Sequence, residues 1–140
     1  AQLSRGLGDV YKRQVDDYAH HPTEIKSIFD TIDSNYQDKP KAVIFQPHLY
    51  TRTRDLMDDF AKVLSYFNEV YLLDIYPARE KPINGITSEV LLNKIDASKK
   101  EIVKKVEIND VINNTNCKTI AILGAGDLTI KLNKKIFTNE

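Results

Sequence analysis

With 140 residues, 41% hydrophobic and 29% charged, the chain is long enough to bury one sizeable core and too short for two ordinary domains. Twenty basic and twenty acidic residues cancel, so there is no general field to draw in nucleic acid, and an anionic ligand must be met by a local cluster. The single cysteine, Cys117, excludes an internal disulfide and a thiolate metal site and suits a reducing, cytoplasmic setting, while apolar runs such as Ala42 to Phe45 are far shorter than the roughly 20 residues that span a membrane.

The leading segment AQLSRGLGDVYKRQ lacks a signal-peptide pattern. Asp9 to Gln14 back-translates to GAT GTG TAT AAG AGA CAG, which resembles the transposase end sequence ligated to DNA during library preparation. Residues 1–14 are therefore expected to be a non-native leader, and residues 15–140 the natural domain.

Beyond Val15, short β-branched runs alternate with helical periodicity, the pattern of an α/β layer fold with a largely parallel sheet. Val15 to Tyr18 reads as a short strand, and Pro22 suits the first turn of a helix whose Ile25, Ile28, Phe29 and Ile32 form one apolar stripe. Lys41 to Gln46 reads as a buried strand closed by Pro47. A helix is expected to start near Thr53, with Leu56, Phe60, Val63 and Phe67 buried. Glu69 to Tyr76 is a third strand. Weaker signals predict a helix over Ser88 to Ile95, a strand over Glu101 to Val106 and a helical turn over Asp110 to Asn114. Lys118 to Asp127 reads as a strand entering a glycine turn, followed by a helix carrying Leu128, Leu132 and Ile136.

In open parallel sheets, ligands gather at the carboxyl ends of strands, where Asp17 to His21, His48 to Arg54, Tyr76 to Lys81 and Gly124 to Asp127 all fall. The sequence GAGD lacks the third glycine of a dinucleotide fingerprint, and Asp127 would oppose a phosphate, so it reads as a tight turn. No G-x-x-x-x-G-K-[ST] loop occurs, so any grip on triphosphate must come from elsewhere. His48 and Arg52, just past a strand end, suit a carboxylate or phosphate; Arg54 suits a surface ion pair with Asp55 or Asp58. Arg79 and Glu80 lie at the next strand end, where a polar loop is an equal reading. Asp17, His20, His21, Glu24 and His48 are a donor set that zinc accepts, yet adjacent histidines in an extended segment point opposite ways, and no metal is assigned. A strand-end aspartate better fits a ribose hydroxyl pair, which makes Asp17 a binding candidate.

The motifs VDDYAHHPTE, FQPHLYTRTRDLMDDFAKVL, LLDIYPAREKPINGITSE and ILGAGD, in this order and spacing, resemble the C-terminal domain of the Mur ligase family, from Val15 to about Phe137. The resemblance is to those members that join L-alanine to UDP-N-acetylmuramate with ATP, through an acyl phosphate, in peptidoglycan synthesis. It implies a Rossmann-like open sheet with helices on both faces, and absent N-terminal and central domains, the latter holding the phosphate loop and Mg2+. Carried onto this sequence, it implies ATP binding by Asp17, Tyr18 and His20. Substrate binding would fall to His48, Arg52, Tyr76, Arg79 and Glu80, with no catalytic residue assigned and the fragment inactive alone. Relatives often carry arginine where this chain has Leu49, which leaves Arg52 fewer partners. A sister ligase adding a peptide and a free-standing nucleotide-binding module are the alternatives.

Overall fold

The computed structural model describes residues 2–5 and 11–124. Among the described residues six strands form one sheet: β1 (Gln2–Arg5), β2 (Tyr11–Asp17), β3 (Lys41–Phe45), β4 (Glu69–Leu72), β5 (Lys99–Ile102) and β6 (Thr119–Leu123). Their order is β1-β2-β6-β3-β4-β5. The five strands from β2 to β5 run parallel, and β1 is an antiparallel edge. The described helices are α1 (Pro22–Asn35), α2 (Tyr50–Asp55), α3 (Met57–Leu64), α4 (Ser88–Asn93) and α5 (Ile108–Asn114), the last preceded by a 3-10 turn at Lys105–Glu107.

Every residue of β3 and β6 is buried, as expected of parallel strands covered on both faces. On one face Val43, Phe45, Val70, Leu72, Ala121 and Leu123 pack under α1, α3 and α4, with Phe45 and Phe60 rings 5.5 Å apart. On the other, Ala42, Ile44, Tyr71, Ile120 and Ile122 pack with Ile108, Val111 and Ile112 of α5. The expected α/β sheet with helices on both faces is thus present. Burying a side chain such as Phe60 stabilises by roughly 1.5–3 kcal/mol before entropy is counted.

Several boundaries differ from the sequence expectation. The first strand begins at Tyr11, not Val15, and ends before Tyr18, because Arg13 to Asp17 pair with Thr119 to Leu123 through backbone groups that any residue but proline supplies. The division expected at Val15 falls inside this strand. The second helical region starts at Tyr50, not near Thr53. Thr53 is wholly buried one turn in, and its hydroxyl donates to the Leu49 carbonyl at 2.7 Å instead of capping the helix. The region also breaks at Leu56 into two helices. β4 stops at Leu72, although Leu73 N–H donates to Phe45 O at 3.0 Å and a bridge joins His48 to Tyr76, so the chain stays extended toward Tyr76. β5 lies two residues earlier than its expected start, at Lys99, and α5 begins at Ile108. The helix expected around Leu128, Leu132 and Ile136, and Asp127 of the glycine turn, lie outside the described residues.

Register sets up the site. Asp17 lies beside Leu123, Leu123 beside Phe45, Phe45 beside Leu72, and Leu72 beside Ile102, so the parallel strands end level. Their following loops leave from one edge.

Candidate functional site

Alternation along β2 decides which of the two adjacent aspartates is available. Val15 packs on the α1 side, and successive strand residues face opposite ways. Asp16 therefore turns with Ile122 toward the α5 side, where its Oδ1 is buried without a hydrogen-bond partner and burial pushes its carboxyl up to about 6. Asp17, the last strand residue, is exposed, and its carboxylate makes no hydrogen bond among the described residues. Its carbonyl accepts from Gly124 N–H at 3.2 Å. Gly124 has φ 139°, and a Cβ there would lie 3.1 Å from Gln46 Cβ and O, so glycine lets these two strand ends close up.

The next residues build a row of rings. Tyr18 is exposed, Ala19 is buried and anchors the turn, and His20 stands over it with Nδ1 2.8 Å from Tyr18 O. A carbonyl only accepts, so this contact places a proton on Nδ1 and leaves Nε2 of the neutral ring an acceptor. His21, weighed for metal binding, instead caps α1, with its Nδ1 accepting from Thr23 N–H at 3.3 Å while Pro22 opens the helix. Glu24 supports the same turn by accepting from His20 N–H at 3.3 Å. Among the described residues no three histidine, cysteine, aspartate or glutamate side chains converge as metal ligands.

His20 meets His48 with ring centroids 6.0 Å apart, and His48 stacks on Tyr76 at 5.3 Å and 23°. Residues assigned by sequence to nucleotide and to substrate therefore adjoin. Burial first, then the nearby Arg52 and His20, hold His48 below its ordinary value, so it is neutral at pH 7. Arg52 Nη1 donates to His48 O at 3.3 Å, which leaves most of a half-buried guanidinium fork for an anion. Arg79 is exposed and makes no hydrogen bond or ion pair among the described residues. Arg54 pairs with Asp55 at 2.8 Å on the surface, as expected from the sequence, and contributes little. Glu80 is taken up internally: its carboxylate accepts from Thr51 N–H at 3.0 Å and from the Thr51 hydroxyl.

Sequence reasoning missed Thr51, Gln46 and the conformation of Leu49. Gln46 is buried, donates from Nε2 to Asp74 O at 3.2 Å and keeps an unpartnered Oε1 at this edge. Leu49 has φ 76°, rare for a leucine. Nothing in a string of letters marks either. Together the edge presents an open carboxylate, a cluster of rings and a guanidinium, a set able to hold a sugar hydroxyl pair and a small carboxylate side by side.

The family model for the Mur ligase glutamate ligase domain matches residues 8–130. UDP-N-acetylmuramate--L-alanine ligase of Christiangramia forsetii is 45% identical over 120 residues, covering 86% of this chain and 26% of that protein. The enzyme of the same name from Phocaeicola vulgatus is 49% identical over 113 residues, covering 80% and 25%. The chain thus spans about a quarter of the length of these relatives. Among solved structures, UDP-N-acetylmuramate-alanine ligase of Thermotoga maritima superposes with a TM-score of 0.62 at 23% identity, covering 94% of this chain and 28% of that one. Folylpolyglutamate synthase of the same organism gives 0.67 at 16% identity, covering 99% and 30%, a likeness of fold alone.

Proposed function

Because the chain belongs to the Mur ligase family, as its glutamate ligase domain, we propose that it is the C-terminal part of the ligase that joins L-alanine to UDP-N-acetylmuramate. Near 45% identity to relatives of that name over most of the chain supports this choice of substrate. The observation that carries the site is the ring row His20, His48 and Tyr76, with Arg52 held to the carbonyl of the central His48 and the unengaged Asp17 at the start of the His20 loop. Residues 1–14 are a non-native leader in this reading, and the enzyme works in the bacterial cytoplasm.

The chemistry divides accordingly. A carboxylate is a poor electrophile, so a muramoyl carboxylate oxygen takes the terminal phosphoryl group of ATP, forming an acyl phosphate and releasing ADP, with Mg2+ held mainly by the central domain. The neutral amine of L-alanine then forms the C–N bond and gives up a proton, as the C–O bond to phosphate breaks and inorganic phosphate leaves. This domain orients the reactants. Asp17 accepts both ribose hydroxyls, with Tyr18 and His20 beside the nucleotide. Arg52, with His48, binds the alanine carboxylate, and Tyr76 and Arg79 border it.

The test is Arg52→Ala in the intact ligase carrying this domain. Loss of a charge-assisted hydrogen bond worth about 1.5 to 3 kcal/mol raises the KM for L-alanine roughly 10- to 150-fold, read as alanine-dependent phosphate release. An unchanged KM, or preference for a preformed peptide over L-alanine, overturns the reading.

A further inference from the structure

Two segments meet beside Arg52 and His48, and each carries a non-glycine residue in the left-handed region. Leu49, at φ 76°, precedes α2; Ala78, at φ 53°, lies in the turn closed by Glu80 N–H donating to Pro77 O at 2.9 Å. The remaining described case is Asp38, a residue type that tolerates this conformation through its short polar side chain. Apolar residues persist there only where their surroundings over-determine them.

The constraint comes from crossing hydrogen bonds. Tyr76 N–H donates to Pro47 O and Leu49 N–H donates to Tyr76 O, both at 2.8 Å. The tight turn at Ala78 then returns the chain, so that Glu80 reaches the first turn of α2 and receives both the amide and the hydroxyl of Thr51, one on each carboxylate oxygen. Chiefly the Thr51 hydroxyl, aided by the Thr51 and Tyr50 amides, holds Glu80 below the usual carboxylate range despite some desolvation. The carboxylate is therefore ionised at neutral pH and turned inward. His48 and Arg52 flank this junction on one segment, and Tyr76 lies on the other.

Resting on the ligase reading, we propose that Glu80 is a positioning residue for amino-acid binding: it clasps the loop after Tyr76 to the start of α2 and so sets Arg52, His48 and Tyr76 around one ligand. Glu80 moves from the expected substrate contacts to the frame that shapes them, since both its oxygens are engaged by Thr51.

The experiment compares Glu80→Ala with Glu80→Gln in the intact ligase, alongside amide exchange at Thr51 in the 140-residue chain. Glu80→Ala speeds Thr51 exchange at least tenfold and raises the KM for the amino acid about tenfold, leaving the KM for ATP within about twofold. Glu80→Gln, whose amide oxygen still accepts from Thr51 N–H, recovers most of both losses. An unchanged amino-acid KM in Glu80→Ala despite faster Thr51 exchange overturns the proposal, as does a fall in kcat alone that Glu80→Gln fails to repair. Arg52→Ala separates the two ideas. If it leaves the amino-acid KM unchanged while Glu80→Ala raises it, the anchoring role of Arg52 fails and the clasp stands; the reverse pattern removes the clasp and keeps the anchor.

Discussion

Replacing Asp16 by asparagine tests the electrostatics of the strand end directly. The carboxyl is half-buried, its Oδ1 has no partner, and burial raises it from an ordinary 3.8 to about 6. A folded-state value above the unfolded one favours the fold when the group is protonated. That contribution is fully present below the unfolded value of about 3.8 and is lost as pH rises through about 6. At pH 7.5 the wild-type chain therefore carries a penalty that asparagine removes; at pH 3.5 both side chains are neutral. A rise from 3.8 to about 6 corresponds to roughly 3 kcal/mol, which solvent screening at a part-exposed site reduces to about 1 kcal/mol. Urea unfolding should show Asp16→Asn more stable by about 1 kcal/mol at pH 7.5, with a Tm roughly 3–5 °C higher, and the difference should vanish near pH 3.5. Equal stability at pH 7.5, or the same gain at both pH values, would refute the reasoning, since either result means the effect is not one of charge.

Two further outcomes follow from the same edge. Asp17→Ala in the intact ligase should raise the KM for ATP more than it lowers kcat, because ribose contacts bind ground and transition states alike; initial-rate kinetics with an unchanged KM would remove Asp17 from the nucleotide site. Ala78→Gly should stabilise the chain by roughly 0.5–1 kcal/mol, as glycine relieves the left-handed strain at φ 53° by more than its added unfolded-state freedom costs. Thermal melting that shows a loss instead would mean the alanine is unstrained.

The parts of the fold that could be read from the letters were those governed by local physics. β3 and β6 announced themselves as unbroken apolar runs because both of their faces are covered, and Pro22 marked the start of α1 because its missing N–H has no partner to lose there. The start of α2 was unreadable because the group that engages its first turn, Glu80, lies 29 positions downstream. The strand end at Tyr76 was overextended for a related reason: the chain remains extended and bonded to Pro47 and Leu49 without joining the ladder. Asp17, His20, His48, Arg52 and Tyr76 could be picked out as strand-end residues of suitable chemistry, and the level register brings them to one edge. That Asp16 faces the other way follows from alternation, but only once the packing of Val15 has fixed which face is which.

The place of β6 has a consequence for how the domain comes into being. It is the last described strand of the chain, yet it lies between β2 and β3, so β2 has no parallel neighbour, and β3 none on its β2 side, until the segment from Thr119 has been made. Such pairing across long sequence separations is slow, and the waiting strands expose apolar edges. During synthesis the Asp17 loop and the His48 loop therefore remain unjoined until the segment from Thr119 has emerged. A stop codon before Thr119 would remove the middle of the sheet and leave two separate pieces, not a domain with a shortened border.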